Sequence, residues 1–355
     1  MTHELQTMNR TELTLMLKEF LTVSNKRKEE SCQTPDIQNL LYSEARALRE
    51  KYYENSVFVR GLIEFTSHCK MDCYYCGLRR SNTKAIRYRL TKEQILECCK
   101  NGHDMGFRSF VLQGGEDSFW DDKKLCELIN DIKESCADCA VTLSVGERST
   151  QSYKVLRAAG ADRYLLRHES ASAEHYGMLH PPAQTLENRK RCLFALKEIG
   201  FQVGAGFMVG TPGQRAEHLA EDLVFLRELQ PEMVGIGPFI AHAETHFSKE
   251  ETGCVEDVLL MIALVRIMLP EVLLPATTAL GSISSEGRNL GLMAGANVVM
   301  PNLSPAWIRG AYNIYDNKVS TGIEAIEGIT QLCEEVEKVG MKADFGRGDH
   351  VWHIS

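Results

Sequence analysis

The feature that most constrains this chain is alternation: short runs rich in β-branched and aromatic residues take turns with longer amphipathic stretches over most of its 355 residues. Strand candidates fall at Val57 to Thr66, Ser109 to Gln113, Ala140 to Gly146, Asp162 to Glu169, Gln202 to Val209, Met233 to Phe239, Val272 to Thr277 and Ala296 to Met300. Helical spacing fills the gaps, as over Thr91 to Met105, Asp121 to Cys136, Thr185 to Ile199, Ala216 to Leu229 and Val255 to Leu269. Eight such alternations predict an α/β chain folded as a TIM-type (β/α)8 barrel, closed or partly open. A barrel of this kind has one core. The organisation expected is therefore residues 1–56 as an N-terminal helical extension, with helices over Thr11 to Phe20 and Pro35 to Tyr53, then 57–300 as the barrel and 301–355 as a C-terminal extension that closes it.

Barrels place their chemistry at the C-terminal ends of the strands, and there this sequence turns polar. The first candidate strand runs into Ser67 and a loop carrying Cys69, Cys73 and Cys76. The second ends in Gln113-Gly114-Gly115-Glu116-Asp117, the third in Ser144-Val145-Gly146-Glu147, the fourth in Arg167-His168-Glu169 and the seventh in Thr277-Thr278. Three cysteines spaced as Cys-x-x-x-Cys-x-x-Cys can hold three corners of a cubane iron-sulfur cluster and leave the fourth iron open as a reaction site. Zinc is the competing metal, but structural zinc is closed by four protein ligands, and no further close Cys or His pair completes that loop's set.

Period-two alternation indicates what fills the barrel. Arg163, Leu165, Arg167 and Glu169 share one face of the fourth candidate, with Tyr164, Leu166 and His168 on the other. In the third, Thr142, Ser144 and Gly146 oppose Val141, Leu143 and Val145, and in the first, Arg60, Leu62, Glu64 and Thr66 oppose Val59, Ile63 and Phe65. The apolar faces suit a helix layer, so the polar faces point inward. Buried arginines are costly unless paired, and arginines in a lumen predict a cavity that accepts an anion. The competing reading pairs them with Asp162 or Glu64 at the strand ends.

A formal charge of −8 argues against a surface that tracks nucleic-acid phosphates. Twelve cysteines would suit disulfides in a small secreted domain, but Met1 to Arg10 includes His3, Glu4 and Arg10 and lacks the pattern of a signal peptide, so a reducing, cytoplasmic setting is expected. The apolar run from Val258 to Ala276 is broken by Arg266, Pro270 and Glu271, which argues against a membrane span. Gly204-Ala205-Gly206-Phe207-Met208-Val209-Gly210 has the wrong glycine spacing for a dinucleotide site and reads as a strand with close backbone approach. Cys98, Cys99, Cys126, Cys192 and Cys254 fall mainly in helical patterns and read as small buried residues. Cys136-x-x-Cys139 could be a redox pair, but it precedes the third strand at the end of the barrel away from the active site, and it reads as structural.

With the loop Cys69-Lys70-Met71-Asp72-Cys73-Tyr74-Tyr75-Cys76-Gly77 placed after the first strand, and Gly114-Gly115-Glu116 after the second, the chain resembles the radical S-adenosylmethionine (SAM) enzymes. That likeness implies one 4Fe-4S cluster whose open iron is chelated by SAM. It also implies oxygen sensitivity and reductive cleavage of the sulfonium to a 5'-deoxyadenosyl radical. Within the superfamily the chain is similar to the HydE-type FeFe-hydrogenase maturases from about Val57 to Tyr315. The shared strings are Cys76-Gly77-Leu78-Arg79-Arg80, Val111-Leu112-Gln113 with Gly115-Glu116-Asp117, Asp162 to Glu169, Met208-Val209-Gly210, Val234 to Phe239, Pro275 to Ala279 and Val299 to Asn302.

The resemblance implies that SAM is held by the cluster, Glu116, Glu169 and Arg189, with Tyr75, Gln113, Gly115 and Ser144 also at the cofactor. It implies a substrate cavity bordered by Arg60, Thr142, Ser144, Arg163, Arg167, Met233, Thr277, Thr278, Met300, Tyr312 and Tyr315. The substrate implied is an anionic, cysteine-ligated iron carbonyl cyanide species. The partners implied are a reducing electron donor, a tyrosine lyase and a GTPase scaffold that together build the di-iron subcluster. Where some members of that family carry Cys-x7-Cys-x2-Cys near the C-terminus, this chain has Ser320, Gly328 and Gln331, so no second cluster is expected. The rivals are a methylornithine synthase-like radical SAM mutase and, from another class, a non-catalytic iron-sulfur or zinc protein.

Overall fold

The computed structural model describes residues 2–27, 36–320 and 322–353. Its strands are β1 Ser56–Val59, β2 Gly61–Thr66, β3 Ser109–Gly114, β4 Ala140–Ser144, β5 Arg163–Leu165, β6 Gln202–Val209, β7 Met233–Pro238, β8 Val298–Val299 and β9 Lys342–Asp344. Strands β2 to β7 form a six-stranded parallel sheet in chain order, and β8, β1 and β9 form a second sheet. Backbone bonds carry the ring from one sheet to the other. Val234 N donates to Leu273 O, Ala276 N to Val298 O, Arg60 N to Val299 O and Leu62 N to Pro301 O, each at 2.9 Å. This is the TIM-type barrel expected from the alternation. Every residue of β6 is buried, as a parallel strand covered on both faces requires.

The helices, in chain order, are α1 Thr2–Thr7, α2 Arg10–Arg27, α3 Asp36–Tyr53, α4 Lys92–Asp104, α5 Asp122–Ser135, α6 Thr150–Ala158, α7 Ala173–Leu179, α8 Leu186–Ile199, α9 Ala216–Leu229, α10 Val255–Met268, α11 Thr278–Ile283, α12 Gly287–Met293, α13 Ala306–Arg309 and α14 Ile329–Lys338. Local chemistry sets their ends. Thr91 and Gln94 form a reciprocal capping box at the start of α4, Thr185 caps α8, and Gly200 ends α8 in the left-handed conformation at φ 89°. Helix α2 packs on α9 and α3 on α10, outside the barrel wall. The expected start of the second N-terminal helix at Pro35 lies outside the described residues. No described helix is long and apolar enough to cross a membrane.

Three strand expectations are corrected. The run from Val57 to Thr66 divides at Arg60, because β1 pairs with β8 and β9 while β2 pairs with β3. The fourth candidate keeps the ladder only from Arg163 to Leu165. Beyond it the chain turns at Glu169, whose φ of 63° is left-handed, and Glu169 N reaches Gly206 O at 3.0 Å. Residues 272–277 make only single bridges, at Leu273 and Pro275, since proline has no N–H for a continuous ladder. Strand β9 was not expected. It lies parallel to β1, and the segment after it crosses the N-terminal mouth of the barrel, where Asp349 meets Arg163.

Candidate active site

The cysteine loop is built to hold its shape around the three thiols. Arg87 donates to the carbonyls of Ser67 (2.6 Å), Leu78 (2.9 Å), Arg79 (2.8 Å) and Asn82 (3.3 Å), so one guanidinium ties both arms of the loop. Asp72 accepts from Ser81 N at 3.0 Å, and Tyr74 N reaches Leu179 O at 3.0 Å. Gly115 is required beside the loop, since a Cβ there would sit 2.3 Å from His68 O and 2.7 Å from Cys69 Cβ. Cys69, Cys73 and Cys76 are free thiols on the wall of one cavity of about 300 Å³. Burial pushes the Cys73 thiol up to about 11 and the Cys76 thiol higher still. The thiolate is the ligating form, so a metal bound here would displace those protons. Gln184 Nε2 lies 3.4 Å from Cys73 Sγ, a donor placed for the sulfur once it is a thiolate. Three thiols and an amide donor fit an iron-sulfur cluster with one open corner.

The other walls of this cavity come from the polar strand ends. Tyr75, Gln113, Gly115, Glu116, Ser144, Arg167, Glu169, Arg189, Thr277 and Tyr315 all line it. Arg189 Nε donates to Glu147 Oε1 at 2.5 Å, and its Nη1 bonds the Arg167 carbonyl. Burial alone would lower the Arg189 pKa, but Tyr176, Glu147 and Tyr75 more than offset it and hold the guanidinium charged. Glu169 is 8% exposed, and its Oε2 has no hydrogen bond, although Arg167 Nη2 stands 3.4 Å away. An orphaned carboxylate oxygen on a cavity wall fits a cofactor bearing hydroxyl and ammonium donors. Glu116 is already engaged: Glu147 N donates to its Oε1 at 2.8 Å and Lys70 Nζ is 3.5 Å from its Oε2. Burial raises the Glu116 pKa, partly offset by those contacts.

Four of the expected substrate residues lie elsewhere. Arg60, Thr142, Arg163 and Met233 project inward, as alternation predicts, but they border a separate space of about 10 Å³. That space is too small for an anion, and most of the arginine donors there are taken, although Arg60 Nε and Thr142 Oγ1 have no partner. Arg163 donates to Ser109 Oγ at 2.8 Å and to Arg347 O and Asp349 Oδ1 at 2.6 Å each, and Arg60 to Gly348 O at 3.0 Å. Their counter-group is thus the C-terminal segment. Asp162 is taken by Lys133 and Arg347, and Glu64 by Lys318. Met300 packs with Leu165 and Met233 in a small apolar cluster. Tyr312 is buried beside Gln113, and Thr278 opens α11 next to Thr277.

Glu147, Gln184 and Arg87 belong to this site's framework and escaped the sequence reading of roles. Glu147 had a signal, standing at a strand end. Arg87 had none, since its partners are backbone carbonyls.

Residues 63–226 match the radical SAM superfamily. The chain is 40% identical over 327 residues to the FeFe hydrogenase maturase subunit HydE of Thermotoga maritima, covering 92% of this chain and 90% of that one. It is 31% identical over 314 residues to the 3-methylornithine synthase of Methanosarcina barkeri, 86% of each. Among solved structures, methylornithine synthase (PylB) superposes with a TM-score of 0.80 at 26% identity over 97% of both chains. The FeFe-hydrogenase maturase HydG of Carboxydothermus hydrogenoformans superposes at 0.74 over 96% and 86% of the two chains, a likeness of fold at 19% identity.

Proposed function

The chain belongs to the HydE family of radical SAM enzymes, which use a 4Fe-4S cluster and SAM, and we propose that it acts on an anionic iron complex in the assembly of the hydrogenase di-iron subcluster. The observation that carries this reading is the single cavity shared by the three cysteines, Glu169, Arg189, Arg167 and Thr277. When bound, cluster and SAM supply one-electron cleavage of the sulfonium to methionine and a 5'-deoxyadenosyl radical. Cys69, Cys73 and Cys76 hold the cluster, and Arg189, fixed by Glu147, receives the methionyl carboxylate in its planar fork. Glu169 takes a donor group of the cofactor on its unpaired oxygen. Arg167, Thr277, Ser144 and Tyr315 orient the substrate, an iron species with carbonyl, cyanide and cysteine ligands. Leu165, Leu166 and Phe239 on the same wall exclude water from the reacting sulfur.

Electrons enter from the outer side of the loop. Lys70, Arg80, Arg87 and Arg89, together with Glu116 and Asp117, border a cleft of about 320 Å³ that reaches Cys69. In a chain of net charge −8, an excess of cations over carboxylates at a cluster cysteine suits an acidic electron donor. The other partners in this reading are the tyrosine lyase and GTPase scaffold of the same assembly line, in the cytoplasm.

The test is anaerobic turnover. Iron-loaded, dithionite-reduced protein should convert SAM to methionine and 5'-deoxyadenosine, and a cysteine-ligated iron carbonyl cyanide complex should accelerate that conversion. Absence of SAM cleavage overturns the activity. The likeness to methylornithine synthase gives the second reading, and 3-methylornithine appearing in an anaerobic extract supplied with the protein would favour it.

A further inference from the structure

At the other end of the barrel from the cysteine loop, His103, in the last turn of α4, faces the turn that joins α5 to β4. The donor atoms of His103, Cys136 and Cys139 all lie within 4.8 Å of one another. Cys136 is the C-cap of α5, and Cys139 N donates to Cys136 O at 3.0 Å, so the tight turn gathers both thiols. Cys99 stands four residues before His103 on α4, on the same helix face, and its sulfur falls outside that 4.8 Å group. Cys99, Cys136 and Cys139 are free thiols buried to 1%, 2% and 0% exposure.

A second, independent observation concerns the imidazole. His103 Nε2 lies 2.9 Å from Asp138 Oδ1, and Asp138 Oδ2 is held by Arg108 Nε at 2.5 Å. Imidazoles that ligate a metal nearly always give their second nitrogen to a carboxylate, which fixes the ring and its tautomer. With Nε2 so engaged, Nδ1 would be the nitrogen offered to a metal. The sequence pattern, Cys99-x3-His103 with Cys136-x2-Cys139, supplies the two close pairs of a Cys3His set.

We propose that Cys99, His103, Cys136 and Cys139 form a structural zinc site. Thiolates and imidazole select zinc over calcium or magnesium, and four protein donors close the tetrahedron and leave no position for a substrate. Binding exchanges the thiol protons, released to solvent, for the ion, and no electron moves. The site ties α4 to the start of β4 at the corner where the C-terminal segment docks. Arg108 N donates to Phe345 O at 2.8 Å, and the Phe107 and Phe345 rings meet edge to face at 5.1 Å. The same segment carries Asp349 to Arg163.

The experiment counts zinc and iron in anaerobically prepared, cluster-loaded protein washed with a mild chelator and then titrated with zinc chloride. The expected result is about one tightly held zinc per chain, by the four-ligand rule. It should be lost in a Cys136→Ser, Cys139→Ser double variant with iron unchanged. Asp138→Asn keeps every proposed ligand and should weaken zinc affinity about ten to a hundredfold, which a purely packing role for the cysteines would not produce. Wild-type holoenzyme that takes up no zinc overturns the site. So does zinc retained in full by the double variant, or a native Cys136 to Cys139 disulfide found by alkylation and mass spectrometry.

Discussion

Glu147 holds Arg189 and Asn188 with its two oxygens, accepting from Arg189 Nε and from Asn188 Nδ2 at 2.5 Å each. Both the carboxylate and the guanidinium are nearly buried, at 10% and 8% side-chain exposure. One acid from the end of β4 therefore aims a cation from α8 at the cavity.

Arg189→Ala should weaken SAM binding and leave iron content unchanged. A lost charge-assisted pair costs about 1.5 to 3 kcal/mol, or roughly ten to a hundredfold in affinity. Glu147→Gln keeps an acceptor but removes the charge that fixes the fork, and should fall short of the alanine effect. Calorimetry on iron-loaded protein separates these, and unchanged affinity in both variants would remove Arg189 from the cofactor site.

Cys73→Ser should abolish the cluster. With two thiolates left, a cubane loses a corner, so anaerobic reconstitution should fall from about four irons per chain to near none. Iron that survives the substitution would mean that another residue ligates.

The cysteine loop, the glycines beside it and the polar strand ends were legible because each is local. Spacing, caps and alternation describe neighbours in sequence. What alternation could not supply is the partner of each inward arginine. Arg163 and Asp349 stand 186 residues apart, and no pattern near either marks the other. Strand β9, Lys342–Asp344, gives no apolar signal because it pairs only through its backbone on the edge of β1. Residues 166–169 show an alternating pattern yet leave the ladder, since the turn at Glu169 is imposed by the site it serves.

Asp349 sets a pH dependence. Burial alone would raise its carboxyl, but Arg163, Arg347 and Gln202 outweigh it and hold the group down at about 2. An acid depressed in the folded state contributes stability that is complete above its unfolded value near pH 4 and is lost as pH falls towards 2. The shift corresponds to about 2 kcal/mol at neutral pH. Asp349→Asn should lower stability by a few kcal/mol, because Arg163 would remain buried without its counter-charge. It should also remove this group's share of the acid loss. Denaturant unfolding at pH 7 and pH 3 is the check, and identical wild-type and variant curves would deny the ion pair its role.

Small anions should bind in the upper cavity and not beside Arg163. Arg167 commits Nη2 to Phe207 O at 2.6 Å, yet its Nε has no partner, and Thr277 Oγ1 is likewise buried without one. Both residues line the cavity of about 300 Å³ that holds the cysteines, whereas the space beside Arg163, where Arg60 Nε and Thr142 Oγ1 are also unpaired, is only about 10 Å³ and the Arg163 guanidinium is filled by Ser109, Arg347 and Asp349. An unpaired donor beside an incompletely satisfied cation favours an anion, and thiocyanate carries the charge and linear shape of a metal-bound cyanide. Crystals grown with thiocyanate should show it against Arg167 and Thr277. Thr277→Val keeps the shape and removes one neutral hydrogen bond of about 0.5 to 1.5 kcal/mol, so thiocyanate should bind roughly two to tenfold more weakly while SAM affinity holds. Thiocyanate found only beside Arg163, in place of Asp349, would move the substrate assignment to the far end of the barrel.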